Sequence, residues 1–194
     1  QPGLTMVIVD SLLLASLRSA REQVPSPAAV LRQVGAALYE SLRKRMHDEQ
    51  MVSVLLLRHD GGGKVTFSGN LPLLLLYRDG PRSVEQLEVD RSGLAVSTQL
   101  DEKLSDRSVQ LSAGDALILL TDGITDAHNH QGVRLQPERL SSEIVNTART
   151  GTAAELRDHL LDVVSDYVGT PSRDLTVVVL RCDPATSKSQ QGSK

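Results

Sequence analysis

Ala116-Leu117-Ile118-Leu119-Leu120-Thr121-Asp122-Gly123 is the stretch on which the reading of the fold turns. An unbroken apolar run of this length fits a strand covered on both faces, because successive side chains of a strand point to opposite sides. Ser112-Ala113-Gly114-Asp115 before it has the composition of a turn, and Thr121-Asp122-Gly123 after it marks its end. The run therefore predicts the central strand of a sheet.

Working upstream, Leu73 to Tyr77 is a second apolar strand, closed by the turn Arg78-Asp79-Gly80-Pro81. Val84-Leu87-Val89 and Val109-Leu111 fit shorter, partly exposed strands. Val52-Val54-Leu56 alternates and is separated by Gly61-Gly62-Gly63 from Val65-Thr66-Phe67, which predicts a hairpin. Neither a Lys-Ser/Thr pair nor a helix follows the three glycines, so they read as a turn and not as a phosphate cradle. Nearer the start, Ser26-Pro27 supplies an N-cap and a first-turn proline for a helix carrying Val30, Leu31, Val34, Leu38 and Leu42. Before it, Met6 to Val9 reads as a short strand ending on Asp10, followed by a helical pattern of Leu13, Leu14, Leu17 and Ala20.

Downstream, Pro137 opens a helix with Leu140, Ile144 and Ala148 in line. Thr152-Ala153-Ala154-Glu155 is a capping box for another, whose inner face is read as Leu156, Leu160, Val163 and Tyr167. Leu175 to Leu180 closes the pattern as a strand. A doubly wound parallel fold would alternate strand and helix regularly; here hairpin-connected strands stand apart from paired helices. The order predicts an antiparallel α+β architecture.

Composition limits the function. The chain has 194 residues, 40% apolar and 23% charged, the balance of a globular protein. With no Trp, one Phe and three Tyr, its core must come from Leu, Val, Ile and Ala. A net charge of −3 and a pI near 6.0 argue against a nucleic-acid partner. No apolar run reaches the roughly 18 residues of a membrane span. Cys182 is the single cysteine and fits no disulfide or zinc spacing, which permits a reducing compartment. Asp10 interrupts the apolar start from Met6 to Leu14, no basic residue precedes it and no small-residue cleavage site follows cleanly, so the chain reads as cytosolic.

Asp10, Asp122 and Asp174 each stand where an apolar strand begins or ends. A rigid sheet fixes the backbone there while the side chain leaves the core. Carboxylates converging from separate strands suit hard cations such as Mg²⁺ or Mn²⁺. Each aspartate taken singly also fits ordinary turn chemistry; their joint placement raises the metal reading. His128-Asn129-His130 reads as a solvated loop, and no serine sits in a nucleophile elbow.

The segment from Leu111 to Ala127, with Gly114-Asp115-Ala116 and Thr121-Asp122-Gly123-Ile124-Thr125-Asp126-Ala127, resembles the signature of SpoIIE/RsbU/RsbX-like serine phosphatases. These form a branch of the metal-dependent PPM protein phosphatases. Ser68-Gly69-Asn70-Leu71-Pro72, Arg78-Asp79-Gly80, Gly132, Pro137-Glu138-Arg139-Leu140 and Asp174-Leu175-Thr176 resemble later family elements in order. Val7-Ile8-Val9-Asp10 resembles the strand bearing another metal aspartate. The resemblance implies an α-β-β-α sandwich of two antiparallel sheets flanked by helix pairs. It implies hydrolysis of protein phosphoserine or phosphothreonine with two Mn²⁺ or Mg²⁺ ions, held here by Asp10, Asp122 and Asp174. The implied substrate is a phosphorylated STAS-domain anti-sigma-factor antagonist in bacterial stress or sporulation signalling.

Two departures from the family pattern bear on activity. Asp10 runs directly into Ser11-Leu12-Leu13-Leu14, without the family's Gly-His-Gly loop, and Arg173 stands in the register slot of a metal ligand. A unit charge about 4 Å from a divalent ion opposes it by on the order of 8 kcal/mol at an effective dielectric of about 20. The expectation is a phosphatase domain over residues 1–182, lacking its N-terminal hairpin and a glycine loop after Asp10. A polar disordered tail over 183–194 would follow. The alternative is a catalytically inactive PPM-like domain that binds a protein partner.

Overall fold

The computed structural model describes residues 26–42, 51–89, 94–95, 104–168 and 173–183. The predicted strand ending at Asp10, the helical pattern after it and the tail beyond Asp183 lie outside the described residues. In chain order the elements are α1 (Pro27–Leu42), β1 (Met51–Val52), β2 (Leu55–Gly61), β3 (Lys64–Gly69), β4 (Leu73–Arg78), β5 (Ser83–Gln86), β6 (Leu94–Ala95), β7 (Arg107–Gln110), β8 (Ala116–Leu120), α2 (Asp122–Thr125), α3 (Pro137–Ala148), α4 (Ala153–Val168) and β9 (Val177–Arg181). Helices and antiparallel sheets are segregated along the chain, as the sequence predicts for an α+β protein. Among the described residues no helix is long and apolar enough to cross a membrane.

Two compact units are built from interleaved segments, the first from 1–71 and 88–110 and the second from 72–87 and 111–194. In the first, β2, β3 and β7 form a three-stranded antiparallel sheet and β1 pairs with β6. The β2–β3 hairpin turns through Gly62 and Gly63, which lie at φ +55° and +80°, between the paired residues Gly61 and Lys64. Two successive positive φ values favour glycine at both central positions of such a turn. The turn reading of the triple glycine therefore holds. The strand differs from expectation, however, beginning at Leu55 and extending through exposed Arg58, His59 and Asp60. Helix α1 starts at the predicted proline and buries Val30, Leu31 and Val34. Asp106 accepts from the Ala28 amide at 2.8 Å and from the Ser26 hydroxyl, satisfying donors at the free helix start.

In the second unit the sheet order is β5-β4-β8-β9, antiparallel throughout. All of β8 is buried: Ile118 and Leu120 are 0% exposed, and the alternate residues Leu117 and Leu119 are 0% and 8%. That is the two-sided burial its apolar run predicts. On one face Leu73, Leu75, Tyr77, Ile118 and Leu120 belong to a core with α3 and α4. Helix α3 contributes Leu140, Ile144 and Ala148, as expected; α4 contributes Leu156, Leu160 and Val164. Val164 replaces the predicted Val163 because both spacings from Leu160 suit a helix and packing selects one. The capping box forms: the Thr152 amide donates to Glu155 Oε2 at 2.6 Å and the Glu155 amide to Thr152 Oγ1 at 3.2 Å. The Thr152 amide first, and then the Thr152 hydroxyl, which donates to the same carboxylate oxygen at 3.0 Å, hold the Glu155 carboxyl below its usual pKa.

The entry to β8 is tied by a buried carboxylate. Asp115 accepts from the Ser112 amide at 3.0 Å, the Asp79 amide at 3.0 Å and Arg78 Nη1 at 2.8 Å. Burial alone would raise its pKa, but the amides of Ser112 and Asp79 and the Arg78 guanidinium outweigh it and lower the carboxyl below the usual range. Gly114 lies at φ +89°, where an added Cβ would meet the Asp79 side chain at 2.8 Å. The turn is further pinned to the end of β9, with Gly114 N donating to Cys182 O at 2.7 Å and Cys182 N to Asp115 O at 2.9 Å.

Candidate functional site

The register of β8 against β9 decides which residues meet at the opposite end of the strand. Ala116 faces Arg181 and Leu120 faces Val177, so the exit of β8 lies beside the entry to β9. This antiparallel pairing brings residues 121–126 against 173–176 despite their separation in sequence. Two bonds extend the contact past the strands: Thr121 N donates to Thr176 O at 3.3 Å, and Thr176 N to Thr121 Oγ1 at 3.2 Å. Directly after Thr121 the backbone coils into the single turn of α2. Gly123 is required there by close approach, since a Cβ would lie 2.2 Å from the Asp174 carbonyl oxygen. The loop carrying residues 173–176 is thus seated on the glycine of Thr121-Asp122-Gly123.

Asp122 and Asp126, one helical turn apart, project from α2 at its start and just past its end. Their side chains are 56% and 47% exposed, in contrast to the covered strand that delivers them. Arg173 Nη1 donates to Asp122 Oδ2 at 2.6 Å and lies 3.5 Å from Asp126 Oδ2. Asp126 Oδ1 accepts from Arg134 Nη2 at 2.9 Å, and Arg134 Nε donates to the Thr125 carbonyl at 2.6 Å. A chain of alternating charge therefore runs from Asp122 through Arg173 and Asp126 to Arg134. Each acid has a cationic partner within hydrogen-bonding reach. The surface is polar and exposed, and it lies just past a fully buried strand.

Of the sequence-predicted ligands, Asp122 is at the strand exit as expected, although it begins a helical turn instead of merely ending a strand. Asp174 is beside it in the fold and supplies its backbone carbonyl to the contact over Gly123. Asp10 lies outside the described residues. Among the described residues, no three carboxylates, imidazoles or thiols converge as ligands for an ion. Carboxylate oxygen is the donor that a hard cation requires, and Asp122 and Asp126 offer it. Yet the cation that Asp122 meets is the Arg173 guanidinium. The donor chemistry fits a divalent ion; the present pairing does not.

Sequence reading assigned no role to Arg134 or Asp126. The spacing of Asp122 and Asp126 at i and i+4 would have signalled a shared face had a helix been expected after β8. His128 and His130 belong to the loop read as solvated: His128 Nδ1 lies 2.6 Å from Asp126 O, and Asn129 Oδ1 accepts from the amides of Gln131 and Val133.

Comparison with known proteins bears on the family and the fold. The sequence profile of the family described as Stage II sporulation protein E (SpoIIE) matches residues 3–183. A comparison with curated proteins gave no match. Among solved structures, the SiaA-PP2C domain of Pseudomonas aeruginosa superposes with a TM-score of 0.72 at 24% identity, over 91% of this chain and 70% of that one. The phosphatase domain of SpoIIE from Bacillus subtilis gives 0.58 at 20% identity, over 91% and 76%. The RsbU and RsbW domains of a Mycobacterium tuberculosis protein give 0.70 at 17% identity, over 91% of this chain and 47% of that one. The chain belongs to the SpoIIE family and is homologous to the metal-dependent PPM protein serine/threonine phosphatases.

Proposed function

We propose that the chain removes phosphate from serine or threonine of a phosphorylated STAS-domain anti-sigma-factor antagonist. Its place would be a partner-switching pathway of bacterial stress or sporulation, in the cytoplasm, where Cys182 stays reduced. The observation that supports this reading most is the SpoIIE-family match over residues 3–183; the exposed Asp122 side chain just past a fully buried strand is consistent with it. Asp10, Asp122 and Asp174 are the proposed ligands of two Mn²⁺ or Mg²⁺ ions. When bound, such ions supply Lewis acidity toward a phosphoryl group and activate water, so that no protein nucleophile is needed. The neighbour that joins RsbU and RsbW domains in one chain is consistent with a signalling role.

The test is phosphate release from a phosphorylated STAS protein in Mn²⁺, with Asp122→Asn as the control. Turnover that needs Mn²⁺ and is lost in Asp122→Asn supports the proposal. A second reading, a non-catalytic signalling module on the same scaffold, is favoured by the 2.6 Å contact between Arg173 and Asp122. Stable binding of the phosphoprotein with no Mn²⁺-dependent release would select it.

A further inference from the structure

We infer that Arg173 is a built-in competitor for the divalent cation, which gains Asp122 only when the guanidinium leaves. The inference rests on the proposed metal role of Asp122 and adds a control that role does not contain. Three observations converge on it. Arg173 Nη1 is 2.6 Å from Asp122 Oδ2, so guanidinium and metal would claim the same oxygen. A second carboxylate, Asp126, stands 3.5 Å away on the other side, itself held by Arg134 at 2.9 Å. The backbone on which Arg173 is mounted is fixed, with Thr176 paired to Thr121 and the Asp174 carbonyl packed on Gly123. The side chain is thus aimed at Asp122 by its flanking backbone.

Competition follows from charge and exposure together. A retained guanidinium repels a divalent ion strongly at contact distance. The pair is also more than half exposed on both partners, and ion pairs of that kind are weak enough to exchange. Arg173 therefore weakens metal binding without abolishing it. The Arg173 side chain is itself 56% exposed.

Mn²⁺ binding measured by electron paramagnetic resonance of the free ion tests this without using activity. Circular dichroism on each protein checks folding. Arg173→Gln should bind Mn²⁺ about tenfold more tightly than the unaltered chain, with Arg173→Lys in between. Adding Asp122→Asn to Arg173→Gln should remove the gain. Equal affinities for the unaltered chain and Arg173→Gln, both weakened by Asp122→Asn, would overturn the competition and leave the metal at Asp122. Mn²⁺ binding that is insensitive to Asp122→Asn in every background would overturn the metal reading, and this inference with it.

Discussion

Strand β8 carries an aspartate at each end, and the two have opposite surroundings. Asp115, before the strand, is 3% exposed and receives two backbone amides and the Arg78 guanidinium. Asp122, after it, has a side chain 56% exposed and meets Arg173. Both stand next to a glycine that admits no Cβ, Gly114 against Asp79 and Gly123 against the Asp174 carbonyl. The same residue type beside the same small neighbour thus serves two ends. A buried carboxylate with satisfied lone pairs joins turns together, whereas an exposed one with an exchangeable partner stays available for a ligand.

Removing the charge at the buried end should have the largest effect on stability. Asp115→Asn leaves Arg78 and two amides with a weaker partner and should cost about 2–3 kcal/mol in urea unfolding. A loss below about 0.5 kcal/mol would erase the distinction between the two ends. Gly114→Ala should follow at about 1–2 kcal/mol, because it places a side chain at positive φ and against Asp79. Acid should expose the same contrast. The Asp115 carboxyl is held below its ordinary value, so its stabilisation is complete above about pH 4 and is lost as pH falls through the folded-state value. Unfolding midpoints measured against pH should therefore drop in acid more steeply for the unaltered chain than for Asp115→Asn. Smallest of all, Arg173→Gln should shift stability by no more than about 0.5 kcal/mol, as expected for an exposed pair. A larger loss would make the exit of β8 a structural joint like its entry.

Much of this architecture was legible because strong local signals agreed with the tertiary environment. An unbroken apolar run announced β8, Pro137 opened α3, and the Thr152–Glu155 capping box formed as the sequence spacing requires. Signals failed where packing chose between equivalent options or where nothing was buried. Val163 and Val164 both suit a helix face containing Leu160, and only the core distinguishes them. The hairpin arm with Arg58, His59 and Asp60 is exposed on both faces, so no apolar alternation marks it as a strand. At the candidate site Asp122 and Asp174 were readable from their places beside strands, and the odd position of Arg173 was visible as a departure from the family pattern. That Arg173 turns toward Asp122, and that Asp126 and Arg134 complete the charge chain, depends on pairing between segments distant in sequence. Local patterns carry no trace of such contacts.

The antiparallel pairing of β8 with β9 has one further consequence. Side chains along a strand return to the same face every second residue, about 7 Å farther on. A β9 strand slipped by that interval would keep a plausible apolar face inward yet carry Arg173 beyond the reach of Asp122. The guanidinium–carboxylate contact is thus a molecular vernier: it closes only when the last strand has docked in its proper notch, and so reports correct assembly at the place where chemistry is proposed.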